Sequence, residues 1–184
     1  MQPHIRTFTG REINPLELRY EDVVIEDIAH ALALCNRFAG HTKQPISVAQ
    51  HSVYVCRLIE HHGAVYAMQG LLHDASEAYL GDITKWLKET PEFSFYRVVE
   101  TFVQHTIYRR FGLPIDLLPE IEIADRVMAR FEGMKGFGNG FKIDHPNYPD
   151  LTSKEIEQIG KWSPWSWKSA EEIFLGHFRS IDLT

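Results

Sequence analysis

The chain has 184 residues, 44% hydrophobic and 24% charged, with a formal net charge of −6. That length suits one sizeable core and is short for two full domains, so a single domain over 1–184 is expected. The acidic balance argues against a long nucleic-acid track, which needs basic surface to displace counterions, but not against a mononucleotide that needs a few cations.

Ile5 to Pro15 carries β-branched and aromatic residues around a Thr9-Gly10 turn signal, which predicts a short β-hairpin. Almost everything after it reads helical, over 26–36, 47–61, 64–79, 83–89, 93–111, 115–132 and 168–180, with Gly40, Gly63, Gly112 and Gly133 as punctuation. The stretch 133–151 holds Gly133, Gly136, Gly138, Gly140, Pro146 and Pro149 and is expected to be a loop, either a lid or a surface excursion. Capping boxes are expected at Thr152-Ser153-Lys154-Glu155 and Ser169-Ala170-Glu171-Glu172. Trp162, Trp165 and Trp167 read as packing anchors for the carboxy-terminal helix, with a contact to a second copy as the alternative. No apolar run approaches the roughly 18 residues of a membrane span, and the amino terminus lacks the apolar core of a signal peptide, so a cytoplasmic chain that crosses no membrane is expected. Cys35 and Cys56 lie in apolar helical patterns and read as reduced packing thiols.

His73-Asp74-Ala75-Ser76-Glu77 is the chemically richest segment. A neutral nitrogen and an anionic oxygen at consecutive positions suit a divalent cation of mixed coordination. Continuous helical geometry would bring Glu77 one turn beyond both. Two ligands do not hold a catalytic metal, so others must come from separate elements. His51 falls on the apolar stripe of Val48, Val55 and Leu58, and Asp125 borders that of Ile121, Ala124, Met128 and Phe131.

The order His51, His73-Asp74, Asp125 resembles the H…HD…D pattern of the HD superfamily of metal-dependent phosphohydrolases. Asp27 to Leu32, Cys35 to His41, Ser47 to Ser52 and Leu71 to Ile83 further resemble the branch holding the bacterial 5′-deoxynucleotidases and phage dATP triphosphohydrolases, over roughly residues 6 to 130. The resemblance implies an all-α HD-domain helical bundle with a short N-terminal β-hairpin, with a core at about 20–132. It also implies one divalent ion (Mn, Co, Zn, Mg or Fe) on His51, His73, Asp74 and Asp125, and a nucleotide substrate. Glu77 and Asp82 would be the catalytic acids, and Arg37, Phe38, Gly40 and Lys88 the substrate contacts, with Lys85 as an alternative to Lys88. Arg126 and the glycine-rich loop are further candidates for a triphosphate tail. The same residues have plainer readings: Glu77 as a polar residue on a helix face, Asp82 as a helix cap, Phe38 as core, and both lysines as solvated surface. A nucleotide-binding regulator with a weakened site is the alternative function; an oxygenase would need further ligands that are not found.

Overall fold

A computed structural model describes residues 4–138, 148–149 and 151–183. The hairpin forms from β1 (Ile5–Arg6) and β2 (Glu12–Ile13), antiparallel with Ile5 opposite Ile13. Its turn is tied to the first helix, α1 (Ile25–Leu34), where buried Asp27 accepts hydrogen bonds from the Thr9 backbone N–H at 2.7 Å and Thr9 Oγ1 at 2.9 Å. The other regular elements among the described residues are helices.

The central helix α2 (Val48–Ile59) starts at Ser47, whose hydroxyl accepts from Gln50 N, and buries every side chain except Arg57. It serves two apolar clusters at once. Val48, Ala49, Val53 and Cys56 join α1, the next helix α3 (Ala64–Leu72) and the carboxy-terminal helix, while Tyr54, Val55, Leu58 and Ile59 pack on Ile121, Val127 and Met128. A helix buried all round is dictated by its composition, which has apolar residues on every face. Its one fully buried amide, Gln50, donates to Ser163 O and accepts from Trp165 N, pinning the segment that leads into the last helix.

The segment expected as one helix over 64–79 is broken. α3 ends at Leu72, residues 73–76 form turns, and a short α4 (Glu77–Leu80) follows. The cause is a side chain from α6 (Ser94–Arg110). Gln104 donates from Nε2 to Leu72 O at 2.7 Å and accepts at Oε1 from Ser76 N at 2.9 Å. Leu72 O and Ser76 N are the pair that a continuous α-helix would bond to each other. The amide has been inserted into the ladder.

Other boundaries shift for identifiable reasons. The helix expected over 83–89 contracts to α5 (Lys85–Lys88). The one expected over 115–132 becomes α7 (Pro119–Phe137), because Pro119 forces Leu118 into an extended conformation and then occupies the first helical turn itself. It runs through Gly133 and Gly136 and stops at Gly138, so the first part of the expected 133–151 loop is helix; the rest lies largely outside the described residues. Gly136 is there for close approach, since a Cβ would lie 2.6 Å from Thr42 Cγ2 and 3.0 Å from Ile46 Cδ1. The Thr152 capping box forms and starts α8 (Ser153–Ile159), whereas α9 (Trp167–Ser180) is capped by Ser166 rather than by Ser169. The three late tryptophans do pack as anchors: Trp162 on Phe131, Trp165 on Tyr54 and Trp167 on His30. Among the described residues no helix is long and apolar enough to cross a membrane.

Gln104→Leu keeps the bulk and removes both hydrogen bonds. The variant is expected to fold, to lose about 1–3 kcal/mol of stability, and to retain at least the wild-type far-UV helical signal, because Ser76 N–H can then return to Leu72 O. Urea denaturation followed by circular dichroism checks this; an unchanged unfolding free energy would contradict the role given to the insertion.

Candidate metal centre

The break between α3 and α4 exposes the His73-Asp74 pair to side chains arriving from α2 and α7. His51, His73, Asp74 and Asp125 each offer one ligand atom, and these atoms all lie within 4.8 Å of one another. His51 Nε2 is 3.0 Å from Asp125 Oδ1 and 3.8 Å from Asp74 Oδ2, while His73 Nε2 is 3.2 Å from Asp74 Oδ2 and 3.8 Å from Asp125 Oδ1. The four positions predicted from separate segments converge.

The ring nitrogens facing away from this centre are already used. His73 Nδ1 bonds Gly70 O at 2.7 Å, and His51 Nδ1 bonds Glu132 Oε2 at 3.0 Å. In a neutral imidazole those bonds place the proton on Nδ1 and turn the Nε2 lone pair inward. His73 Nε2 is buried and has no hydrogen-bond partner within the described residues, as a metal-directed donor would. Two imidazoles and two carboxylates suit a divalent ion of borderline hardness. Burial works against charging His73, but Asp74 and Asp125 outweigh it and hold its pKa well above the usual imidazole value. Burial likewise opposes ionising the two carboxylates, yet the imidazoles keep both below the ordinary carboxylate range. The cluster draws in positive charge, which a cation supplies as well as protons do.

Glu132 was not identified from the sequence. It is fully buried two turns after Asp125 on α7, and the same Oε2 that holds His51 lies 3.1 Å from Arg37 Nε. Arg37 in turn donates from Nη1 to Asp74 Oδ2 at 3.3 Å and brings Nη2 to 3.9 Å from Asp125 Oδ1. Its local backbone is fixed by Arg37 N bonding Ile46 O and by the bridge between Asn36 and Ser47. Burial penalises the guanidinium, but Glu132, Asp125 and Asp74 together raise its pKa, so it stays charged. The i+7 spacing from Asp125, within the helix expected over 115–132, could have flagged Glu132; its partners His51 and Arg37 are distant in the chain and leave no local signal.

A cavity of about 590 Å³ opens onto this centre, its lining including Arg37, Asp74, Glu77, Asp82, Lys88 and Asp125. That volume lies within the usual small-molecule range. Glu77 is buried, and burial beside Asp74 and Asp82 lifts its pKa well above that of a free carboxylate, against the pull of Lys88 and Arg37. Burial also raises the Asp82 pKa, with Arg37 opposing. Asp82 caps no helix, since Thr84 precedes α5. Lys88 is held by Glu100 at 2.8 Å, with Glu77 Oε1 at 3.8 Å, so it is not a solvated surface lysine.

Phe38 lines the cavity, but its ring meets Phe137 edge-on at 5.5 Å and has the Arg37 guanidinium 5.7 Å from its centroid. Gly40 does not shape the pocket. It is exposed, and a Cβ there would meet nothing within 4 Å; what it supplies is a φ of 73° in a left-handed turn that also strains Phe38 and Ala39, at 57° and 50°. Arg126 is paired with Glu122 and is not among the cavity residues. His61 and His62 lie ring to ring at a tilt of 39° and line a different pocket that contains none of the four cluster residues. A second group of metal-binding type, Cys56, Glu60 and His177, is held differently: Arg57 places its guanidinium 3.3 Å from His177 Nε2, and burial pushes the Cys56 thiol up to about 12. A fixed positive charge and a protonated thiol disfavour a cation there.

Glu132→Gln leaves the four ligands in place and removes the charge behind His51. Divalent-ion affinity is expected to fall about 10- to 100-fold, read by competition with a chromophoric chelator; wild-type affinity in the variant would contradict the assignment.

No family model matches the chain. It is 36% identical over 129 residues to the uncharacterized protein YfdR of Escherichia coli (strain K12), covering 70% of this chain and 69% of that protein. It is 35% identical over 138 residues to the uncharacterized protein RCAP_rcc00048 of Rhodobacter capsulatus, covering 69% of each chain. At that identity over more than two thirds of both proteins, the chain belongs to the family of YfdR.

Proposed function

We propose that this protein is a metal-dependent phosphohydrolase of the HD type, removing the 5′-phosphate or 5′-triphosphate of (deoxy)nucleotides, as a 5′-deoxynucleotidase or a dNTP (dATP) triphosphohydrolase does. The observation that carries the reading is the convergence of the His51, His73, Asp74 and Asp125 cluster with an arginine whose side chain is 12% exposed and a buried glutamate. A divalent ion (Mn, Co, Zn, Mg or Fe) held by that cluster would acidify water and polarise a phosphoryl oxygen. Arg37 offers a planar, permanently charged fork beside the cluster, suited to a phosphate oxyanion. Glu77, with its raised pKa, can hold a proton at the cavity floor and pass it during the reaction, with Asp82 as a second acid close by. Lys88, charged and 3.8 Å from Glu77, offsets negative charge that gathers there.

Within this reading the cations of the described residues are compatible with a monophosphate or a triphosphate. Lys88 is paired with Glu100 and Arg126 with Glu122, whereas Lys85 lines the cavity and forms no salt bridge among the described residues. The Arg97 guanidinium is held by the Lys88 and Thr90 carbonyls.

A panel of nucleoside mono- and triphosphates, assayed with Mn²⁺, Co²⁺, Mg²⁺ or Zn²⁺, tests the reading by its products. Orthophosphate from deoxynucleoside monophosphates, or inorganic triphosphate from deoxynucleoside triphosphates, is expected. Absence of turnover on every substrate with every metal would refute the reading. Glu77→Ala is expected to keep the metal and lose about 10²- to 10⁴-fold in kcat, and metal-loaded Glu77→Ala with wild-type kinetics would return Glu77 to a structural role. Arg37→Ala is expected to weaken all nucleotide substrates together, by about 1.5–3 kcal/mol in kcat/KM.

A further inference from the structure

Three of the four tryptophans are packed against another ring, and Trp86 is the exception. Among the described residues it meets no aromatic partner, and it is 66% exposed. A lone exposed aromatic needs no explanation by itself. The position of this one does, because Trp86 lines the same cavity that opens onto Asp74 and Asp125.

α5 supplies Lys85, Trp86 and Lys88 to that cavity. Lys88 reaches down to Glu77 and Glu100, whereas Trp86, two residues earlier, stands at the exposed rim. Beside it Lys85 covers the Tyr148 ring, with Nζ 5.6 Å from the centroid. Phe38, Ile83 and Phe137 add apolar surface to the lining. The cavity is thus acidic and cationic where a phosphate would sit and aromatic towards its mouth. Phe38 is the poorer platform, since its ring is already engaged by Phe137 and Arg37.

We propose that Trp86 is the stacking platform for the nucleobase, so that α5 reads both ends of the substrate: the aromatic base at Trp86 and the phosphate end at Lys88. This rests on the nucleotide reading above and adds to it a ligand class, a planar heteroaromatic base, at a named residue. Stacking tolerates every base because each has a π face, so Trp86 contributes affinity for a base rather than a choice among bases.

The test compares deoxynucleoside monophosphates with ribose 5-phosphate, which keeps phosphate and sugar and lacks the base. Trp86→Ala is expected to reduce the preference in kcat/KM for the nucleotide over ribose 5-phosphate by about 5- to 150-fold, and Trp86→Phe to restore most of it. Independently of catalysis, 2′-deoxyadenosine should quench a component of tryptophan fluorescence that is missing from Trp86→Phe. Nucleotide turnover with an unchanged preference in Trp86→Ala would overturn the platform and leave the hydrolase reading intact. Quenching without turnover of any substrate would do the reverse, and neither quenching nor turnover would overturn both.

Discussion

The Gln104 amide replaces one helical hydrogen bond, and the geometry of the site follows from that replacement. An uninterrupted helix from α3 into α4 would carry His73, Asp74 and Glu77 on a rigid spiral. With Leu72 O and Ser76 N satisfied by Gln104 instead, residues 73–76 can turn, and the buried polar groups freed by the break still have partners. His73 Nδ1 then takes Gly70 O, which fixes the ring, and Glu77 enters a new short helix with its carboxyl buried near Asp74 and Asp82. A break in a helix would be costly in isolation; here α6 compensates it locally.

A second constraint is the sharing of one carboxylate oxygen. Glu132 Oε2 contacts a ring nitrogen of His51 and the guanidinium of Arg37 from within a fully buried position. A buried anion of this kind is costly unless paired, and here it is paired twice. The consequence is mechanical as well as electrostatic. The residue that orients a metal-directed imidazole also orients the arginine beside it, so α2, α7 and the 36–47 loop are held in one register around the cluster. Gly136 supports this by letting that loop approach α7, where Lys43 N bonds Gly136 O.

The sequence disclosed what depends on local pattern. Apolar periodicity placed α1, α2, α6 and α9 within a few residues, the Thr9-Gly10 turn signal marked the hairpin, and the stripes of α2 and α7 turned His51 and Asp125 inward. What it hid depends on partners distant in the chain. Nothing near His73 announces that a glutamine 31 positions later will open the helix. Gly133 and Gly136 read as a loop, and for Gly136 the reason for its place in a helix, close packing on Thr42, is tertiary. Gly40 invited a reading about pocket size, whereas its φ answers a need of the backbone. Glu132 falls inside the expected helix, but its role depends on His51 and Arg37, more than eighty positions earlier.

The account stands on four side chains from separate elements sharing one ion. Crystals grown with Zn²⁺ and measured at the zinc absorption edge test this most directly. The account predicts one strong anomalous peak about 2.0–2.2 Å from His51 Nε2, His73 Nε2 and a carboxylate oxygen of each of Asp74 and Asp125. A principal peak at Cys56, Glu60 and His177, or one from which Asp125 is excluded while Arg37 keeps its contact with Asp74, would contradict it.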